Sequence, residues 1–168
     1  MLVAAVASIL DRDLRALARA VEAYPDERDL WRLPPGAPNS GGTLALHLAG
    51  NLQHYFGACL AGTGYRRDRP AEFADREVPR EEILRRIEAA RAAVRAAAER
   101  VDETALERDF PEAIAGGHVA TGEYLIHLVS HFAYHLGQLD YHRRLVTGDA
   151  RGTGAVRPAE LSTMHPVS

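Results

Sequence analysis

The amino-acid sequence predicts an all-α fold, a bundle of four helices, and three observations lead there. Four separate segments carry apolar residues at spacings of three and four. Glycine and proline concentrate in the stretches between those segments. No segment shows strand alternation over any length. Amphipathic helices with one apolar stripe each bury those stripes most simply around a shared core, with the order of packing left open by the sequence.

The first helix spans Val3 to Val21, where Val3, Val6, Leu10, Leu14, Leu17 and Val21 form the stripe, and Tyr24-Pro25 stops it. A loop follows through Trp31 and the breaker-rich run Pro34 to Gly42; Trp31 is expected to anchor it. Thr43 is the expected cap of a second helix reaching about Leu60, with Leu44, Leu48, Leu52, Tyr55 and Cys59 as its stripe and Gly62 and Gly64 as its end. A polar segment, Tyr65 to Arg80, leads to a third helix from about Pro79 to Val101, packed through Ile83, Ile87, Ala90, Val94, Ala97 and Val101. Glu103 to His118 reads as an irregular connection with room for a short hairpin. Thr121 is the expected cap of a fourth helix, about Gly122 to Val146, with Leu125, Leu128, Phe132, Leu136 and Leu139 on one side and Gly148 closing it. Residues 1–148 are therefore expected to form one bundle domain, and 149–168 a tail that is flexible or packed on it.

Composition narrows the function. At 168 residues the chain fits one core, and 46% hydrophobic with 26% charged residues is ordinary for a soluble globular protein. All 20 basic residues are arginines, scattered among 23 acidic ones for a formal charge of -3, so no face is expected to bind nucleic acid. A single cysteine, Cys59, excludes an internal disulfide or a multi-cysteine metal cluster, and on the apolar stripe it is expected to be buried and inert. Met1 to Leu10 is apolar but lacks a basic leader, and Asp11, Arg12 and Asp13 follow at once, unlike a signal peptide. No apolar run approaches the roughly 20 residues that span a bilayer. The expected location is the cytoplasm.

The histidines carry the chemical signal. His127, His131 and His135 occupy successive turns of the fourth helix, with His142 and Gln138 in the same arc at the rim of the leucine stripe. Two histidines at i and i+4 can present both imidazoles to one ion at about 2.0–2.1 Å. Alone, such a pair is more often a pair of hydrogen-bonded surface or core histidines. His47 changes the balance, because it sits in Leu-Ala-Leu-His-Leu-Ala-Gly-Asn-Leu, where an unpartnered imidazole would lose its hydration without compensation. A facing pair on the fourth helix would satisfy it, and bundles build metal sites from facing helices. The expected ligands are thus His47, His131 and His135, with His54 and then His127 as substitutes; His118 and His165 fall in loops and receive no role.

Two segments resemble the DinB-like superfamily of metalloenzymes, also called DinB/YfiT-like: His47-Leu-Ala-Gly-Asn-Leu-Gln-His-Tyr and His131-Phe-Ala-Tyr-His135-Leu-Gly-Gln138-Leu-Asp-Tyr. The stretch Gly62 to Phe73 also looks like a subgroup feature. The resemblance implies a four-helix bundle, often dimeric, in which the family's first histidine falls on His47 and its paired histidines on His131 and His135, together holding one divalent ion. Relatives include thiol transferases that use bacillithiol or mycothiol, maleylpyruvate isomerases, and domains of larger enzymes. Gly137 beside Gln138 suggests close helix packing by the same resemblance, and the alanine-rich third helix is compatible with a homodimer.

Three neutral imidazoles leave an ion its full charge and an open position, the catalytic rather than the structural pattern. Such an ion can activate water or hold a thiol as thiolate. The expected function is a metal-dependent, thiol-dependent transferase acting on a small electrophilic substrate, with a low-molecular-weight thiol as cosubstrate. The alternatives are a non-catalytic metal- or ligand-binding stress-related dimer and a metal-dependent hydrolase. Zinc or nickel is the expected metal, with iron and manganese also compatible. Asn51, Tyr134 and Gln138 are the candidate catalytic residues, with an inter-helix hydrogen bond as the plainer role for the two amides and packing for the tyrosine.

Overall fold

The computed structural model describes residues 1–165. Four long helices form the bundle: α1 (Leu2–Glu22), α2 (Gly41–Leu52), α4 (Arg80–Arg100) and α5 (Thr121–Thr147). A short α3 (Arg69–Ala74) lies within the segment expected to be a polar linker. It is a helix because Asp68 caps it, accepting from the Ala71 amide at 3.0 Å, and Pro70 stands in its first turn. The described residues contain no strand, only isolated antiparallel bridges at Asp109–Ala120 and Ile114–Gly117 in the irregular connection.

Helices α1 and α2 each pack against both α4 and α5, so the order around the bundle is α1, α4, α2, α5. The apolar stripes meet at the axis. Leu10, Leu14, Leu17, Leu48, Leu52, Ile83, Phe132 and Leu139 are all buried, each burial stabilising by about 1.5–3 kcal/mol. Helix α2 differs from the others because every residue from Gly41 to Leu52 is buried. It starts between two aromatics: a Cβ on Gly41 would strike the Tyr24 hydroxyl, and one on Gly42 would meet the Trp31 ring at 2.7 Å. Trp31 thus holds the loop against the start of α2.

Two expected caps are replaced. Ser40 caps α2, its Oγ accepting from the Thr43 amide at 3.2 Å, because the helix begins two residues before Thr43. At α5 the cap position belongs to Ala120, and Thr121 instead donates its hydroxyl to the Arg108 carbonyl at 3.0 Å. Gly148 ends α5 in the left-handed conformation, φ 70°, which glycine adopts without strain.

Beyond Leu52 the second helix continues as a π-helix, Gln53–Leu60, in which Ala61 N–H reaches the Phe56 carbonyl at 2.9 Å. The residues after Gly148 run back along α1 as far as they are described; positions 166–168 of the expected tail lie outside the described residues. Arg19 donates to the carbonyls of Thr153 and Gly154 at 3.1 and 3.0 Å and pairs with Glu160, and the Ser162 amide donates to Ser8 Oγ at 2.9 Å. Among the described residues no helix is long and apolar enough to cross a membrane.

Candidate metal centre

His47 projects from the fully buried α2, and His131 and His135 from the facing side of α5. Their rings converge. His47 and His131 approach Nε2 to Nε2 at 3.3 Å, and the His135 ring lies 4.6 Å from that of His131 and 5.3 Å from that of His47. One nitrogen from each ring falls within 4.8 Å of the other two.

The outer nitrogens determine where the inner lone pairs point. Glu72 Oε2 lies 3.0 Å from His47 Nδ1; a carboxylate can only accept, so the hydrogen is on Nδ1 and Nε2 is left as a lone pair facing the other rings. Gln138 acts similarly on His135, its Oε1 2.7 Å from Nδ1. His131 Nδ1 is buried without a partner. Two nitrogens bound to one ion at about 2.0–2.1 Å in tetrahedral geometry stand about 3.3–3.4 Å apart, which is the separation of His47 and His131. The residues therefore fit a divalent ion in spacing, and His47 and His135 also in lone-pair direction.

Glu72 comes from α3, which packs across α2. Room for it is made at Gly50, where a Cβ would collide with the Glu72 carboxylate. Arg67 grips the same carboxylate in a bidentate pair, Nε to Oε1 at 2.7 Å and NH2 to Oε2 at 2.8 Å. Burial opposes the charge on Glu72, but hydrogen bonds from Arg67 and His47 outweigh it and hold the carboxyl below its ordinary pKa. Arg67 and Glu72 were not singled out from the sequence. The readable signal was Asp68 followed by Pro70, a helix start that converts a polar linker into an element with a direction.

Burial, then the neighbouring imidazoles His135 and His47, push the His131 pKa down to about 4. Burial likewise lowers that of His135, against the Gln138 hydrogen bond. Both rings are thus neutral near pH 7, the state a metal ligand requires.

The three rings line an open cavity of about 350 Å³, small for a ligand site. Asn51 is in its wall, with Oδ1 buried and unpartnered, and so are Tyr55, Tyr124, Arg69 and His127. Tyr134 is 66% exposed and stands outside that wall, its ring edge-on to His135 at 5.1 Å. His54 turns away to Glu112. Gly137 faces open space instead of a packed helix, because the Gly-Gln pair sits on the exposed side of α5. Cys59 is half-buried rather than buried; burial and then Glu112 push its thiol up to about 11, so it is protonated at neutral pH.

The chain is an all-helical bundle of the DinB/YfiT-like superfamily. Within that superfamily the chain belongs to the mycothiol-S-transferase family, whose model, described as "Mycothiol-S-transferase", matches residues 5–148. Neither the curated proteins nor the solved structures gave a match.

Proposed function

We propose that the chain is a metal-dependent thiol S-transferase, joining a low-molecular-weight thiol, mycothiol by family, to a small electrophile at His47, His131 and His135. The observation that carries this reading is the convergence of three imidazoles, two of them oriented by Glu72 and Gln138. A divalent ion held there, zinc or nickel by donor type, would keep its full charge and favour a thiol as its thiolate near neutral pH.

The chain's own groups do the rest. Glu72 and Arg67 neutralise each other and fix the His47 ring, so they supply orientation rather than net charge. Arg69, stacked over Phe73 at 5.1 Å, leaves a cation at the mouth that would draw an anionic group inward. The unpartnered Asn51 amide oxygen can accept from a hydroxyl or amide of a substrate. Tyr55 and Tyr124 form the aromatic side of the cavity, so an apolar electrophile has a surface to lie on.

The homodimer implied by the resemblance is assigned to α5, where Ile126, Tyr134, Tyr141 and Leu145 leave an exposed apolar strip. Light scattering of wild type beside Tyr141→Glu checks that assignment; a monomeric wild type refutes it. The cytoplasm, where thiols stay reduced, is the natural compartment.

Purified metal-loaded protein mixed with a model electrophile should conjugate mycothiol faster than the uncatalysed reaction, and His131→Ala should abolish the gain. A rate unaffected by that substitution across mycothiol, glutathione and cysteine overturns the transferase reading.

A further inference from the structure

A second donor set lies outside the three-histidine cavity, at the π-helical end of α2. His54 and Cys59 are five residues apart, which on an α-helix would place them about 140° from each other. The i to i+5 repeat of Gln53–Leu60 brings such positions onto nearly one face, and Cys59 Sγ lies 3.9 Å from His54 Nε2. Glu112 arrives from the loop 108–120. Its Oε2 is 2.9 Å from His54 Nε2 and 3.7 Å from Cys59 Sγ, and the three donor atoms lie within 4.8 Å of one another.

An ion pair between His54 and Glu112 needs neither a sulfur nor a change of helix type. The π-helix is the independent sign, since such turns are rare, usually last one turn, and gather at functional sites. Sulfur, nitrogen and oxygen donors at about 2.0–2.3 Å from one tetrahedral ion stand about 3.3–3.6 Å apart. Here the nitrogen–oxygen pair is closer, at 2.9 Å, and the two sulfur separations are longer, at 3.7 and 3.9 Å, so small side-chain shifts would seat an ion. Half-buried His54 and Cys59 with exposed Glu112 leave the cluster open for entry from solvent.

We propose that His54, Cys59 and Glu112 form a second metal site, for a borderline-soft divalent ion such as zinc, which ties the loop 108–120 to α2. The mixed sulfur, nitrogen and oxygen set selects such an ion over magnesium or calcium. On binding, the Cys59 S–H bond breaks, the sulfur–metal bond forms and the thiol proton leaves to solvent. His54, which donates from Nε2 to Glu112 without the ion, moves that hydrogen to Nδ1 so that the Nε2 lone pair takes the ion. The Tyr55 ring, 4.8 Å from that of His54 and 5.9 Å from Phe110 on the loop, connects this clamp to the wall of the first cavity.

Cobalt(II) titrated into metal-free, tag-free protein tests the proposal, because only a site with sulfur gives a thiolate-to-cobalt charge-transfer band in the near ultraviolet. The band is expected in the wild type and in His47→Ala, absent in Cys59→Ala, and weakened in Glu112→Ala. Zinc is expected to slow alkylation of Cys59 by iodoacetamide about tenfold or more. No band with cobalt in excess, an alkylation rate unchanged by zinc, or a band as strong in Glu112→Ala as in the wild type overturns the site.

Discussion

At His142 both ring nitrogens are satisfied within the fold. The buried Tyr24 hydroxyl donates to Nδ1 at 2.8 Å, and Nε2 donates to the Arg32 carbonyl at 2.7 Å. Eleven residues earlier on the same helix and in the same arc, His131 has a buried Nδ1 without a partner and an Nε2 turned toward two other imidazoles. The two ends of α5 show that spacing along one helix does not decide what a histidine does. The facing chain decides: opposite His142 stand a phenol and a carbonyl that complete it, and opposite His131 stands the lone pair of another imidazole, an arrangement that a cation can bridge.

Four substitutions separate these ends. His131→Ala has the largest expected effect at the metal end, a loss of bound metal and transfer activity beyond the 10–100-fold that outer positions cost, with metal content as the readout. Glu72→Gln should come next. It leaves His47 in place but weakens the acceptor that orients it, and metal affinity measured by competition with a chelator should fall about 10–100-fold. Gln138→Ala, at an exposed position, should lie near the lower end, about tenfold. His142→Ala should do the reverse, leaving metal content unchanged while costing about 1–3 kcal/mol in denaturant unfolding, because Tyr24 and the Arg32 carbonyl lose their partner.

Acid sharpens the comparison further. Unfolded chain takes a proton on His131 near its ordinary 6.5, whereas the folded, metal-free chain takes it only at about 4. Between those values the unfolded state binds more protons, so this contribution to stability is complete above about pH 6.5 and is lost as pH falls through about 4. Thermal unfolding of metal-free protein across that window should show the decline, and His131→Ala should flatten it.

The long helices were legible because each writes its burial pattern locally, residue by residue, as in Leu10, Leu14 and Leu17. His47 was legible because an imidazole within an apolar run needs a partner. Glu72 was not, since its place against His47 depends on Gly50 leaving a gap and on α3 crossing α2, and both are relations between segments more than twenty residues apart. The π-helix was equally hidden: no residue in Gln53–Leu60 marks an i to i+5 repeat, so the meeting of His54 and Cys59 could not be anticipated from a 100° step. The caps at Ser40 and Ala120 were missed for a smaller reason: Ser40 accepts from the amide of Thr43, so the helix starts ahead of the residue expected to cap it, and the Thr121 hydroxyl is taken by the distant Arg108 carbonyl.

His47, His131 and His135 are placed to share one ion. Elemental analysis of tag-free protein, wild type beside His47→Ala and His131→Ala, tests it most directly. One equivalent of divalent metal per chain should vanish in each variant while the helical circular dichroism is kept; equal metal in all three would contradict the account.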